Sequence, residues 1–289
     1  MSPPLVINFA PTGMVPTKAM TPHAPLSVEE ILADVRAAWE LGITVAHLHA
    51  RDAAGRPTHD PGVYSAIIRG VRAFAPDLVI CASLSGRDDP RLESRIAPLS
   101  LEGPLKPDMG SLTLSSLNFP KQASCSDPEV VHRLAEEMRR RGILPELEVF
   151  DLGMAHYAGY LERKGLLAAP HYANVILGNI ASAQVDPLHL GILVRELPPS
   201  TLWCVGGIGR SQLSANLLGV ALGGGVRVGL EDNLYLDDEG GRLATNLALL
   251  QRIHALAAAA GRPIMTPAEF RRRLALAPGH GAYGRAPQP

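Results

Sequence analysis

DPEVVHRLAEEMRRRGILPELEVFD, residues 127–151, contains one complete structural repeat. Asp127 is an N-cap residue. Pro128 suits the first helical position, where its missing N–H has no partner to lose. Gly142 ends the helix. The run LPELEVFD at 144–151 then reads as a strand, with Glu146, Glu148 and Phe150 on one face. A capped helix feeding a short strand is the joint of a βα repeat.

The same joint recurs in both directions. Strand-like runs fall near 5–11 (LVINFAP), at 43–49 (ITVAHLH), 78–85 (LVICASLS), 108–116 (DMGSLTLSS), 144–151, 174–181 (NVILGNIA), 201–207 (TLWCVGG) and 225–231 (GVRVGLE). A helical pattern follows each one, with DPRLESRIAPL after the third. The first helix opens on a Ser27–Glu30 capping box and stops at Gly42. Eight βα units in about 250 residues is the expected size of an α/β (β/α)8 TIM barrel. An open doubly wound sheet is the competing arrangement. No Pro/Ser-rich linker or low-complexity tract divides the chain. One catalytic domain over 1–289 is expected, with a C-terminal helical extension at about 266–277 that carries its own capping box, Thr266 and Glu269.

The bulk composition narrows the function. Hydrophobic residues make up 46% of the 289, enough for a large core, and the formal net charge is −1 with no dense basic block. With 4% aromatics, neither a nucleic-acid footprint nor a base-stacking platform is expected. Three cysteines, Cys81, Cys125 and Cys204, are widely spaced and include no CxxC, which argues against a disulfide framework or a cysteine zinc site. The opening MSPPLVINFAPTG lacks a basic segment followed by a long apolar core, and no run of ~18 apolar residues occurs. The expectation is a cytoplasmic enzyme without membrane or nucleic-acid partners.

In a barrel, chemistry sits at the C-terminal ends of strands. The second run ends in HLH, and period-2 alternation puts His47 and His49 on one face, where two imidazoles can chelate zinc. Such pairs also arise by chance. The eighth run, GVRVGLEDN, adds weight: alternation puts Arg227, Gly229 and Glu231 on one face. Strands two and eight both flank strand one of a closed barrel. His47, His49 and Glu231 then form a His₂Glu set with an open coordination position, the composition of a catalytic site.

Other strand ends contribute polar groups. The third run shows Cys81, Ser83 and Ser85 on one face, and the fourth shows Ser111, Thr113 and Ser115. Both are open to a reading as small polar filler. Glutamates facing inward from the fifth run are costly unless paired or functional. GGIGRSQ at 206–212, with Gly207 and Gly209, follows the seventh run and opens a helix, a place suited to an anionic cofactor. GGG at 223–225 precedes the eighth run and reads as a turn at the barrel floor. Arg51 and Asp52 read as loop supports. The remaining histidines read mostly as surface or packing residues.

With HLHARD, KPDMGSLTLSSLNFP, PELEVFDLG and GGGVRVGLEDN in this order, the chain resembles the beta-keto acid cleavage enzymes over nearly its whole length. The resemblance implies a zinc-dependent TIM barrel, a homo-oligomer and usually a tetramer. It also implies a reaction of a β-keto acid with acetyl-CoA that yields acetoacetate and a new acyl-CoA. Carried across, it makes His47, His49 and Glu231 zinc ligands. Asp232 and Arg227 become a catalytic pair, with Glu148 a further catalytic carboxylate and Glu146 its rival. Ser83 and Thr113 become substrate-binding residues, with Ser85 and Ser111 as their rivals. Members acting on the amino-keto acid have an acidic residue just after the TG of strand one. Here Met14 and Val15 stand there, so a substrate ammonium lacks its partner. The alternative class is a zinc-dependent hydrolase of the amidohydrolase kind, which is expected to carry HxH on strand one.

Overall fold

The structure, a computed structural model, describes residues 3–237 and 240–287. Eight parallel strands close into a barrel: β1 (Ile7–Phe9), β2 (Val45–Leu48), β3 (Val79–Ala82), β4 (Met109–Thr113), β5 (Leu144–Val149), β6 (Tyr172–Leu177), β7 (Leu202–Gly207) and β8 (Gly225–Val228). Each strand pairs with its sequence neighbours, and β8 closes on β1 through Asn8 opposite Arg227. The fold is a (β/α)8 barrel, not an open sheet.

Helices α1 (Val28–Leu41), α2 (Pro61–Phe74), α3 (Leu92–Ile96), α4 (Pro128–Arg141), α5 (Leu152–Arg163), α6 (Pro187–Glu196), α7 (Ser211–Ala221) and α8 (Asn246–Ala259) surround the barrel. The capping signals act as read. Ser27 and Glu30 cap each other's backbone, and Asp127 accepts from Val130 N. Gly142 takes the left-handed conformation (φ 64°) that ends α4. No helix among the described residues is long and apolar enough to cross a membrane.

The apolar mass lies in two clusters between strands and helices. One joins α1, α2 and α8 to the β8–β1–β2–β3 side, and the other joins α4 to α7 to the opposite side. Inside the barrel, only the floor is apolar. Val6, Val45, Val79, Met109, Leu144 and Tyr172 meet Phe270 of α9 (Pro267–Arg273) and its C-cap Leu274, which plug the N-terminal end. Asp108, fully buried at the start of β4, locks this plug by accepting from Arg72 and Arg271.

The strands are generally shorter than the sequence expectation: the third, for example, ends at Ala82, leaving Ser83 and Ser85 in the loop beyond it. The sixth strand begins at Tyr172 and stops at Leu177, so 178–181 is loop. β4 stops at Thr113, leaving Ser115 in an exposed bend. The eighth strand stops at Val228 because Gly229 adopts φ 149°, a conformation closed to ordinary side chains.

Candidate active site

His47 and His49 stand at the C-terminal end of β2 with ring centroids 5.3 Å apart. His47 is fully buried, and its Nδ1 donates to Glu146 Oε2 at 2.5 Å. That bond makes the Nε2 atom the one that faces the barrel mouth. Glu146 is itself buried on β5, where its other oxygen accepts from Asn8 Nδ2 (2.6 Å) and the Cys81 thiol donates to Oε2 (3.2 Å). The network continues along the barrel axis. Asn8 Nδ2 also donates to the Tyr172 hydroxyl, which reaches Asn174 Oδ1 and Cys204 Sγ.

Glu231 arrives by a turn, not by strand alternation. A Cβ on Gly229 would meet the Ala10 backbone, so only glycine lets the chain pass β1 this closely. Glu231 N donates to Ala10 O (3.2 Å), and Gly209 N donates to Asp232 O (2.7 Å), which pins both ends of the turn. Consecutive residues of a strand face opposite ways, but this turn sends both Glu231 and Asp232 into the barrel. Arg227 clamps them: its Nη2 donates to Glu231 Oε1 (2.6 Å) and its Nε to Asp232 Oδ2 (2.8 Å). Gly206 gives the arginine room, since a Cβ there would lie 3.1 Å from Arg227 Cβ.

The three ligand candidates converge. His49 Nε2 lies 3.1 Å from Glu231 Oε1, and His47 Nε2 lies 3.9 Å from Glu231 Oε2. His47 Nε2 and Glu231 Oε2 are both buried without a hydrogen-bond partner. Two orphaned polar atoms, 3.9 Å apart and facing each other beside a second imidazole, suit a shared divalent cation, which would take the place of the proton on His47 Nε2. His47, Cys81 and Glu146 also cluster. Those atoms already bond one another below the mouth, so the His₂Glu group is the one open to the cavity.

The electrostatics follow from burial and charge. Burial disfavours a charged His47, yet the Glu146 and Glu231 carboxylates outweigh it and raise the imidazole to about 9. Burial also works against ionised Glu231. Arg227, His49 and His47 prevail and hold its carboxyl well below the usual range. Asp232 is pushed up instead, by burial and by the adjacent Glu231 charge, against the pull of Arg227. Of the two neighbouring carboxyls, Glu231 is thus held towards its charged form and Asp232 towards its protonated form.

These groups open on a cavity of about 440 Å³. His49, Ser83, Thr113, Glu148, Arg227, Glu231, Asp232 and Gly209 all line it, as does Ser85. Thr113 donates to Glu148 Oε2 (2.6 Å), and Glu148 lies 3.9 Å from Arg227. Ser111 is directed to the backbone and accepts from Leu84 N. Gly207 is not among the lining residues; a Cβ there would strike the first turn of α7, so it serves helix–strand packing. Arg51 is buried and donates to the carbonyls of Gly13, Pro16 and Gly55, tying the loops after β1 and β2 together. Glu146, the lesser choice in sequence terms, turns out to orient His47. Asn8 carried no chemical signal in sequence, although its position opposite Arg227 places it inside.

Comparison with known proteins decides the family. The sequence profile of the beta-keto acid cleavage enzymes matches residues 4–276. This chain belongs to the beta-keto acid cleavage enzyme family. A 3-oxoadipate:acetyl-CoA acetyltransferase of Cupriavidus necator is 36% identical over 291 residues, 99% of this chain and all of that protein. A 3-keto-5-aminohexanoate cleavage enzyme of Fusobacterium nucleatum is 33% identical over 94% of this chain and 98% of that protein. Among solved structures, the apo form of ObcA superposes with a TM-score of 0.78 at 21% identity, over 89% of this chain and 66% of that one, a likeness of fold. The family assignment, with HxH on β2, leaves an amidohydrolase-type hydrolase without support.

Proposed function

We propose that the enzyme condenses a β-keto acid with acetyl-CoA, giving acetoacetate and a new acyl-CoA, at a zinc site formed by His47, His49 and Glu231. The observation that carries the metal reading is the pair of orphaned, facing atoms, His47 Nε2 and Glu231 Oε2, behind which Glu146 fixes the histidine. A zinc ion held there would supply Lewis acidity to the keto and carboxylate oxygens of the substrate. Ser83 and Thr113 orient the substrate carboxylate. Asp232 or Glu148 takes a C2 proton of the β-keto acid, and the resulting enolate carbon attacks the thioester carbonyl of acetyl-CoA, forming the C2–acetyl bond and expelling CoA thiolate. The thiolate then adds to the substrate's C3 ketone, and cleavage of the C2–C3 bond gives the new acyl-CoA and the acetoacetate enolate, which takes the proton back at C2. Arg227 keeps Asp232 in place and offsets negative charge as it develops. The loop at Gly209, at the cavity edge and just before α7, is where CoA phosphate is received.

Met14 and Val15 line the cavity where an amino-keto acid needs a carboxylate. The substrate is therefore a β-keto acid without a distal ammonium. The single catalytic domain and the tetramer belong to the same proposal. The test is a screen of β-keto acids with acetyl-CoA, reading acetoacetate, together with the zinc content of wild type and Glu231→Gln. The expected result is turnover by wild type and loss of both metal and turnover in the variant. Full zinc and full activity in Glu231→Gln would overturn the metal assignment. Zinc-loaded protein that turns over no β-keto acid would overturn the reaction.

A further inference from the structure

The cavity wall carries a cation that the reaction above does not use. Arg87 follows β3, four residues beyond Ser83. Its backbone is held on both sides: its N–H donates to Ser85 Oγ, and its carbonyl accepts from Gln122 Nε2 (3.1 Å). Its guanidinium carbon lies 3.4 Å from the centroid of the Phe119 ring, and Phe119 in turn stands edge-on to Phe150 at 5.9 Å. Among the described residues no carboxylate lies within ion-pair distance of Arg87, and its Nε is buried without a partner. Arg227, the cation at the metal end, is by contrast ion-paired with Glu231 and Asp232, although its Nη1 has no hydrogen-bond partner.

Stacking occupies the face of a guanidinium and leaves its edge free, and that edge presents N–H donors in the fork that suits a carboxylate. A charged group that is half-buried, stacked and unpaired in a cavity wall is an incomplete ion pair. Phe119, Phe150 and Leu117 give the same cavity an apolar part beside Arg87, which suits methylene groups. The carboxylates of the cavity, Glu148, Glu231 and Asp232, all belong to the reacting end, so the rest of the cavity asks for an anion.

We infer that Arg87 receives a second, distal carboxylate, and that the β-keto acid of this enzyme is a dicarboxylic one. This rests on the reaction proposed above and names its substrate class. The 36%-identical relative is named for 3-oxoadipate, a β-keto acid with such a second carboxylate.

The test compares 3-oxoadipate with 3-oxohexanoate, which has a methyl group in place of the distal carboxylate. Wild type should prefer 3-oxoadipate. Arg87→Met should lose about 10- to 100-fold in kcat/KM on 3-oxoadipate, the range for a charge-assisted bond. It should change by less than about 3-fold on 3-oxohexanoate, with KM for acetyl-CoA preserved. Arg87→Lys, which keeps the charge but not the fork, should recover part of the loss. Equal losses on both acids would assign Arg87 to the shared end of the substrate or to CoA, and no loss would remove it from recognition; either overturns the inference. Calorimetry with unreactive adipate and hexanoate separates this from the reaction itself. If nothing is turned over but adipate binding depends on Arg87, the reaction fails and the anion site stands. If both acids are turned over without discrimination, the reaction stands and the anion site fails.

Discussion

Replacing Asp108 by asparagine should destabilise the fold while leaving the chemistry alone. Five donors converge on this carboxylate. Oδ2 accepts from Arg72 Nη2 (2.8 Å), Arg271 Nη2 (2.9 Å) and Ile80 N (3.1 Å), and Oδ1 accepts from Arg271 Nη1 (2.8 Å) and Gly284 N (3.0 Å). An amide keeps the shape but turns one acceptor into a donor. In its better orientation it deprives the Arg271 Nη1 and Gly284 donors of an acceptor, and in the worse one it deprives three donors. It also leaves two arginines, 7% and 2% exposed at their side chains, without a counter-charge. Breaking a buried pair from one side costs about 3–5 kcal/mol. At roughly 2–4 °C per kcal/mol for chains approaching this size, Tm should fall by about 6–20 °C. Burial opposes ionisation of Asp108, but Arg72 and Arg271 outweigh it and hold its carboxyl below the ordinary value. Its contribution is therefore complete above the unfolded carboxylate value of about 3.9 and is lost as pH falls through the lower folded value. Thermal melts of wild type and Asp108→Asn from pH 7 down to acid should begin to converge below about pH 4 and meet only below the lower folded value. Because Asp108 sits at the barrel floor, kcat at 25 °C should hold. A Tm within about 2 °C of wild type at pH 7 would refute the claim that this cluster locks the floor.

Three further outcomes are expected. Gly229→Ala should keep helix content by circular dichroism but lose metal and turnover together, because its Cβ would strike the Ala10 backbone and displace Glu231. Normal zinc content in that variant would show that the turn tolerates the change. Arg227→Lys keeps one charge but cannot bond Glu231 and Asp232 at once; kcat should fall about 10²- to 10³-fold, the scale for losing one electrostatic contact to the reacting atoms, measured by steady-state kinetics. Val15→Glu should introduce turnover of 3-keto-5-aminohexanoate and weaken that of uncharged or anionic β-keto acids, read from the ratio of kcat/KM values.

Period-2 alternation and the count of βα units made the barrel, its mouth and the histidine pair legible in sequence. They reached Glu231 through a strand drawn too long. The real cause is a glycine at φ 149°, and nothing in a single GLED stretch distinguishes a strand continuing through that glycine from a turn beginning there. Alternation also put Glu146 and Glu148 on one face without saying how deep each lies. Register decides that. Glu146 is opposite Ser111 and Tyr172, one rung below the mouth, and meets His47, whereas Glu148 is opposite Thr113 and meets the cavity. Arg87 escaped notice because its meaning lies in what it lacks, a partner, and sequence cannot show that. Gly207 illustrates the opposite case, since a glycine near a helix start looks the same whether it admits a phosphate or a neighbouring helix.

The chain of bonds from His47 through Glu146 and Asn8 to Tyr172 and Cys204 has a consequence for how this scaffold can be diversified. Mutational freedom should be very uneven across it. The apolar layer outside the strands accepts exchanges that conserve volume, and the cavity wall around Phe119 and Val15 can be randomised to reach new acids. The barrel axis offers no such latitude, because Glu146 accepts from both His47 and Asn8 while Asn8 donates also to Tyr172, so a mismatch at any of them propagates towards the histidine. A library for new substrates should leave the axis untouched. A library aimed at the proposed metal site should begin there, at Asn8 and Glu146, which line no part of the cavity yet set the orientation of His47.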